Sequence, residues 1–245
     1  MHILVTRPEP EGSRMKAQFE AAGHEVTLDP LLQIVPVDMD ASACDGAQAL
    51  IVTSRNGLRA LGRSPALGAA QKLPLFTVGP GTTELARELG FQRIIAGDGG
   101  ARDLVPLIAS RSDPAAGPLV HVAGEVTAFD LAAALAGHGF QVRALTAYRA
   151  VAATALAEAT AQGIADNSLD AVILMSPRSA DIFAQLVADR ALQASVRRLV
   201  LICLSQAVAD AVKGLAPARV EIAEAPSASA TLAAVGRVAS ACRGV

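Results

Sequence analysis

The chain holds a single tyrosine, Tyr148, and no tryptophan. A phenol, with an ordinary pKa of about 10, can give a proton or a hydrogen bond to a departing oxygen. Tyr148 is therefore the first side chain to weigh as a catalyst, against the plainer reading of a packed aromatic with a wet end. The other chemically able residues are hydroxyls, glycines and arginines that follow short apolar runs. They are Thr6 and Arg7; Ser54, Arg55 and Asn56; Gly79, Pro80, Gly81, Thr82 and Thr83; Gly97 to Gly100; Gly124; Ser176, Pro177 and Arg178; Ser205; and Pro226 with Ser227. If each run is a parallel strand leading into a helix, these residues sit beyond the strands' carboxyl ends, where open α/β sheets take ligands. Helix starts carry unpaired N–H groups and about half a positive charge, so the set suits an anion. Ser54, Ser176 and Thr82 read equally well as ordinary helix N-caps.

Other chemistries find little support. GPGTTE (79–84) lacks the third glycine of a dinucleotide fingerprint and does not follow the first strand, and the phosphate-loop pattern is missing. His2, His24, His121 and His138 are scattered without ligand spacing and read as structural or solvated residues. Cys44, Cys203 and Cys242 show neither metal-ligand spacing nor even pairing, as expected of thiols in a reducing cytoplasm. No metal site is expected.

Composition narrows the partners. Aromatic residues make up 3% of the chain, too few for base-stacking platforms, and the formal net charge of −2 gives no basic field for nucleic acid or an anionic membrane. The chain opens on HILV and charged residues, expected to be a first strand rather than a signal peptide. No apolar run reaches the roughly 20 residues of a membrane helix. A soluble cytoplasmic protein is expected.

The elements that must position these residues alternate as strand and helix, the pattern of α/β parallel sheets flanked by helices. Strands are expected at 2–5, 25–28, 49–54, 74–79, 93–97, 119–124, 170–176, 198–205 and 219–223. Helices are expected at 8–22, 55–61, 82–89, 101–109, 127–136, 154–164, 177–188, 206–213 and 227–241. Two extended stretches, 27–39 and 140–154, outrun the usual strand of about five or six residues. They are expected to be crossings between two lobes, residues 1–35 with 152–245 and the insertion 36–151, and to act as a hinge. An internal repeat supports two similar lobes: ALIVTSRNGLRAL matches AVILMSPRSADIF, LFTVGPGTTELARELG matches VLICLSQAVADAVKGL, and EAAGHEVTLDPLL matches LAGHGFQVRALTAY.

In their order, ILVTRPEP, GHEVTLDPLL, IVTSRNGLRAL, FTVGPGTTELARELGF, GHGFQVRALTAYRA, ILMSPRSADIFAQL and PSASATLAAV resemble the uroporphyrinogen-III synthase family over nearly the whole chain. The resemblance implies two α/β lobes joined by a two-stranded extended connection. It implies a cleft between them that uses no metal or organic cofactor. The activity implied is that of a lyase closing the linear tetrapyrrole hydroxymethylbilane, with inversion of ring D and loss of water. Tyr148 matches the family tyrosine proposed to assist hydroxyl departure; Thr82, Ser54, Ser176 and Gly124 match further family positions. Two stretches depart: Ser205, Gln206, Ala207 and Val208 stand where relatives often have a glycine and threonine pair, and Ala123 stands where many have arginine. A transient contact with hydroxymethylbilane synthase and a monomeric state are expected. The alternatives are a non-catalytic two-lobe binding module, an inactive relative, or a two-lobe transferase using a nucleotide donor; the last would need a better phosphate loop than residues 79–84.

Overall fold

Four-residue apolar runs cannot bury both faces alone, so each run in this chain pairs with others in a parallel sheet and takes helices on both sides. The computed structural model describes residues 1–225 and 227–243, with 241–243 described by backbone alone. Pro226 and the thiol of Cys242 therefore lie outside the described residues. The chain divides into two compact units, Met1–Gln33 with Val151–Val245, and Ile34–Ala150.

The first unit opens with β1 (His2–Val5), α1 (Glu11–Ala21) and β2 (Glu25–Leu28), and β3 (Leu32–Pro36) carries the chain across the boundary. The second unit continues with β4 (Ala49–Val52), α2 (Arg55–Gly62), α3 (Leu67–Ala70), β5 (Leu75–Val78), α4 (Pro80–Glu88) and β6 (Ile94–Gly97). It closes with α5 (Leu104–Arg111), β7 (Leu119–Gly124), α6 (Leu131–Ala136) and β8 (Val142–Ala152), the strand that crosses back. The first unit resumes through α7 (Glu158–Ala165), β9 (Ala171–Leu174), α8 (Pro177–Asp189), α9 (Gln193–Val196), β10 (Val200–Cys203), α10 (Gln206–Ala211), β11 (Arg219–Ile222) and α11 (Ala228–Arg243). Among the described residues no helix is long and apolar enough to cross a membrane.

The first sheet runs β11-β10-β9-β1-β2, parallel throughout. Counted along that unit, the order is 2-1-3-4-5. The second sheet runs β3-β8-β7-β4-β5-β6 and is parallel from β8 to β6. Taking β7 as its first strand and reading on through β8, β4, β5 and β6 gives the same 2-1-3-4-5 order, circularly permuted. The sequence repeat follows this correspondence, with β4 matching β9 and β5 matching β10. In each sheet the winding reverses between the first and third strands, at β1/β9 and at β7/β4, and the strand ends part there to leave a crevice.

Central strands are apolar on both faces because helices cover both. All four residues of β4 and all four of β9 are buried. One face of the first sheet packs Leu4, Val172, Leu201 and Phe183, the other Ile3, Ile173, Phe19 and Val235. In the second unit Leu50, Val52, Leu58 and Val122 form one side, and Ile51, Phe76, Leu104 and Leu131 the other. Each such side chain stabilises the fold by about 1.5–3 kcal/mol through burial.

Helices α2, α8 and α10 start where the sequence places them, at residues 55, 177 and 206, while others start later or earlier. Alanine-rich stretches carry helix propensity but no start mark, so local capping sets the boundary. Helix α6 begins only at Leu131, where Asp130 accepts from the Ala133 N–H at 2.9 Å. Helix α7 begins at Glu158, after Ala157 N–H is held by the Asp29 carboxylate at 2.9 Å. Helix α4 begins earlier than expected, at Pro80, because Gly79 makes the turn at φ 72° and proline suits the first helical position. Thr82 is thus the third residue inside the helix, and its reading as an N-cap is corrected.

Candidate active site

Tyr148 owes its direction to a β-bulge. Parallel pairing of β7 with β8 matches Val122 to Leu145 and Ala123 to Thr146, but Gly124 then faces Tyr148, leaving Ala147 as the extra residue. Strand side chains alternate between faces, so in a regular strand Tyr148, three residues beyond Leu145, would point away from it, and the bulge reverses this. With it, Ala147 and Tyr148 both pack on the side of Val122, Leu58 and Leu145. The phenol lies across Gly124, where a Cβ would come within 2.7 Å of the ring Cζ. No side chain larger than hydrogen fits beneath it.

The phenol oxygen lies 3.2 Å from Ser54 Oγ, and Ser54 also caps α2 by accepting from Asn56 N–H at 3.1 Å. Capping and contact with the phenol are therefore two uses of one hydroxyl. Helix α2 approaches β7 closely enough to hold this pair, since a Cβ on Gly57 would meet the Val122 carbonyl at 2.9 Å. Arg55 lies against the first turn of α4, its guanidinium 3.5 Å from where a Gly81 Cβ would be. Thr83 is spent internally, donating to the Gly79 carbonyl at 3.0 Å and bonding Thr77 Oγ1 at 2.8 Å. Among the described residues the Thr82 hydroxyl makes no hydrogen bond, though only 6% of the residue is exposed.

Ser54, Gly124 and Tyr148 border a cleft of about 480 Å³ at the β7/β4 reversal, lined also by His121, Arg102 and Phe129 among others, whereas Arg55, Thr82 and Thr83 are not among its lining residues. A smaller hollow of about 150 Å³ shares His121, Gly124 and Phe129. His121 is buried, with Nε2 3.3 Å from Thr53 Oγ1, and burial pushes its pKa below the ordinary histidine value. It is a neutral imidazole at neutral pH. Sequence reasoning set it aside as a structural histidine; the signal was one polar residue inside an otherwise apolar buried strand, LVHVAG. Arg102 and Phe129 were also missed, because they come from loops whose meeting the sequence does not encode.

The remaining sequence-predicted residues gather in the first unit, at the ends of β1, β9 and β10. Thr6 is fully buried and its hydroxyl donates to the Ile173 carbonyl at 2.7 Å, tying β1 to β9. Arg7 beside it is half-buried and Arg178 is exposed. Ser176 caps α8, accepting from Ser179 N–H at 3.1 Å. Ser205 stands at the start of α10 without a side-chain capping bond. Val208 occupies the helix position that Thr82 holds in the second unit, and it is buried in the core. Cys44 and Cys203 are buried free thiols, and burial pushes Cys203 up to about 12. Among the described residues no group of three histidine, cysteine or acidic side chains could hold a metal ion.

Comparison with known proteins gives this arrangement a context. No curated protein sequence matches the chain significantly. Among solved structures, the uroporphyrinogen-III synthetase of Helicobacter pylori superposes with a TM-score of 0.66 at 16% identity, covering 97% of this chain and 99% of that one. A mutant uroporphyrinogen III synthase from the extremely thermophilic bacterium Thermus thermophilus gives 0.57 at 18% identity, covering 97% and 98%. At such identities these likenesses show the fold. A family model described as uroporphyrinogen-III synthase HemD matches residues 13–233, and by that match across most of its length the chain belongs to the uroporphyrinogen-III synthase family.

Proposed function

We propose that the cleft at the β7/β4 reversal carries the leaving-group chemistry of a hydro-lyase that cyclises hydroxymethylbilane. Family membership makes the chain an enzyme of tetrapyrrole synthesis that forms uroporphyrinogen III. The terminal hydroxyl leaves as water once it receives a proton, pushed out by the electron pair of its own pyrrole nitrogen. The resulting azafulvene bonds to the substituted carbon of the far pyrrole. The older bond from that carbon to the ring C methylene then breaks, and the freed methylene bonds to the other α carbon of ring D, which inverts the ring; loss of that carbon's proton restores aromaticity and balances the proton taken up at the start.

Tyr148 is the proposed donor of that first proton. The contact that carries this reading is the 3.2 Å approach of its oxygen to Ser54 Oγ. Because Ser54 already accepts from Asn56 N–H, its own hydrogen is free to turn toward the phenol oxygen. A chain running from the positive end of α2 through Ser54 then stabilises negative charge developing on the phenol as the proton leaves. Arg55, the Gly79 turn and Thr82 are proposed to receive substrate carboxylates, as are Arg7, Ser176, Arg178 and Ser205 of the first unit. Thr6, already bonded to Ile173, holds the strands beside them. The enzyme is further proposed to act as a monomer in the cytoplasm, taking its unstable substrate by transient contact with hydroxymethylbilane synthase; its buried thiols fit a reducing compartment.

The test generates hydroxymethylbilane in situ, adds the protein, oxidises the products and separates type I from type III uroporphyrin. Uncatalysed closure gives type I alone, so formation of type III is the signal. Tyr148→Phe is expected to lower turnover about 10- to 100-fold, at or below the roughly 10²–10⁴ of positioned proton transfer, because the pyrrole nitrogen already assists departure. Unchanged turnover would reduce Tyr148 to a packing role.

A further inference from the structure

The cleft contains a cation with no acidic neighbour among the described residues that line it. Arg102 sits in the 3-10 turn Ala101–Asp103 between β6 and α5, exposed at the cleft, with its Cζ 5.3 Å from the centre of the Phe129 ring. Phe129 is half-buried and packs on the core that includes Leu104 and Leu131. No residue lining the cleft carries a carboxylate, and Arg102 is the one cationic side chain among them. Asp98, four residues before Arg102, does not line the cleft, and three other acids of the flanking segments are held elsewhere. Asp103 accepts from Gly100 N–H at 2.6 Å, Asp130 caps α6, and Glu125 pairs with Arg149 at 3.1 Å.

We propose that Arg102 is a substrate-binding residue that grips a carboxylate of the tetrapyrrole, with Phe129 holding the guanidinium ready; this rests on the cleft being the substrate site. A guanidinium stacked on a ring face keeps its N–H edge in plane and available for a two-point bond to a carboxylate. Stacking also limits the rotamers lost on binding, which lowers the entropic cost of capture. With no competing acid in the cleft, the local potential selects an anionic side chain over an apolar one even in a protein of net charge −2.

The experiment measures KM and kcat for wild type, Arg102→Gln and Arg102→Lys in the type III assay, and binding of uroporphyrin III to each by fluorescence. Arg102→Gln is expected to raise KM and weaken uroporphyrin binding about tenfold, the size of a charge-assisted bond, with kcat changed less than about twofold. Arg102→Lys should recover part of the loss, since charge remains and the planar fork does not. If wild type makes type III while Arg102→Gln keeps wild-type KM and porphyrin affinity, the assignment of Arg102 is wrong and the function stands. A fall in kcat or melting temperature with KM unchanged would equally overturn it, marking a structural residue. Wild type yielding only type I would instead sink the reading of the site as a whole.

Discussion

Gly124 and Tyr148 act as one unit at the scale of single residues. The phenol occupies the volume that any side chain at position 124 would need, so Gly124→Ala must push the ring off its contact with Ser54. Type III formation is then expected to fall about tenfold or more, approaching the loss in Tyr148→Phe. If glycine matters only through the phenol, the double variant Gly124→Ala/Tyr148→Phe should be no worse than Tyr148→Phe, a non-additivity that a double-mutant cycle reads directly. Additive losses would show that Gly124 serves the substrate or the fold independently. With no tryptophan and no other tyrosine in the chain, tyrosine emission reports on this one ring.

Among the elements, three need more than their own sequence to be placed. Strand β8 depends on a single extra residue, Ala147, to aim its aromatic side chain, and the strand's composition gives no warning of it. Strand β11 and helix α11 are joined by a charged cluster in which Glu221 bonds Arg219 at 2.6 Å and Arg237 at 2.8 Å, while Arg237 also reaches Glu224 at 2.9 Å. Partial burial pushes the Glu221 carboxyl pKa up, and the hydrogen bonds and charges of Arg237 and Arg219 outweigh it, so the pKa stands below the usual glutamate value. A carboxylate with a depressed folded-state pKa contributes stability above its unfolded pKa and loses it as pH falls through the folded value. Glu221→Gln is therefore expected to cost about 1–2 kcal/mol at pH 7, the worth of a partly exposed charged bond, and to flatten the loss of stability below about pH 4.5. Urea midpoints across roughly pH 3–7 check this; parallel curves for the two proteins would assign the acid sensitivity elsewhere.

For the whole molecule, the governing fact is that each unit has apolar clusters on both faces of its own sheet. Ile34–Ala150 is also continuous in sequence, whereas the other unit is assembled from two segments. A fragment spanning 34–150 is expected to fold on its own, with helical circular dichroism and a cooperative thermal transition, because no strand of its parallel core from β4 to β7 is supplied from outside it. A non-cooperative melt would show that the second unit needs the remainder of the chain. Tyr148 and the cleft lie within this fragment, so uroporphyrin binding by it would measure that unit's share of substrate recognition.

The order of strands and helices, the repeat and the residues at strand ends were all legible in the sequence, because hydrophobic period and strand-end chemistry are local properties. Ser54 and Tyr148 could each be singled out that way. Their meeting could not, since they stand 94 positions apart and are joined only through a circularly permuted sheet order and one bulge. The neutral His121 in the cleft, the stacking of Arg102 on Phe129 and the withdrawal of Thr6 and Thr83 into internal bonds are likewise decided only where segments distant in sequence or in neighbouring elements share a boundary. Local sequence set which groups were available; tertiary packing decided which of them face the cleft.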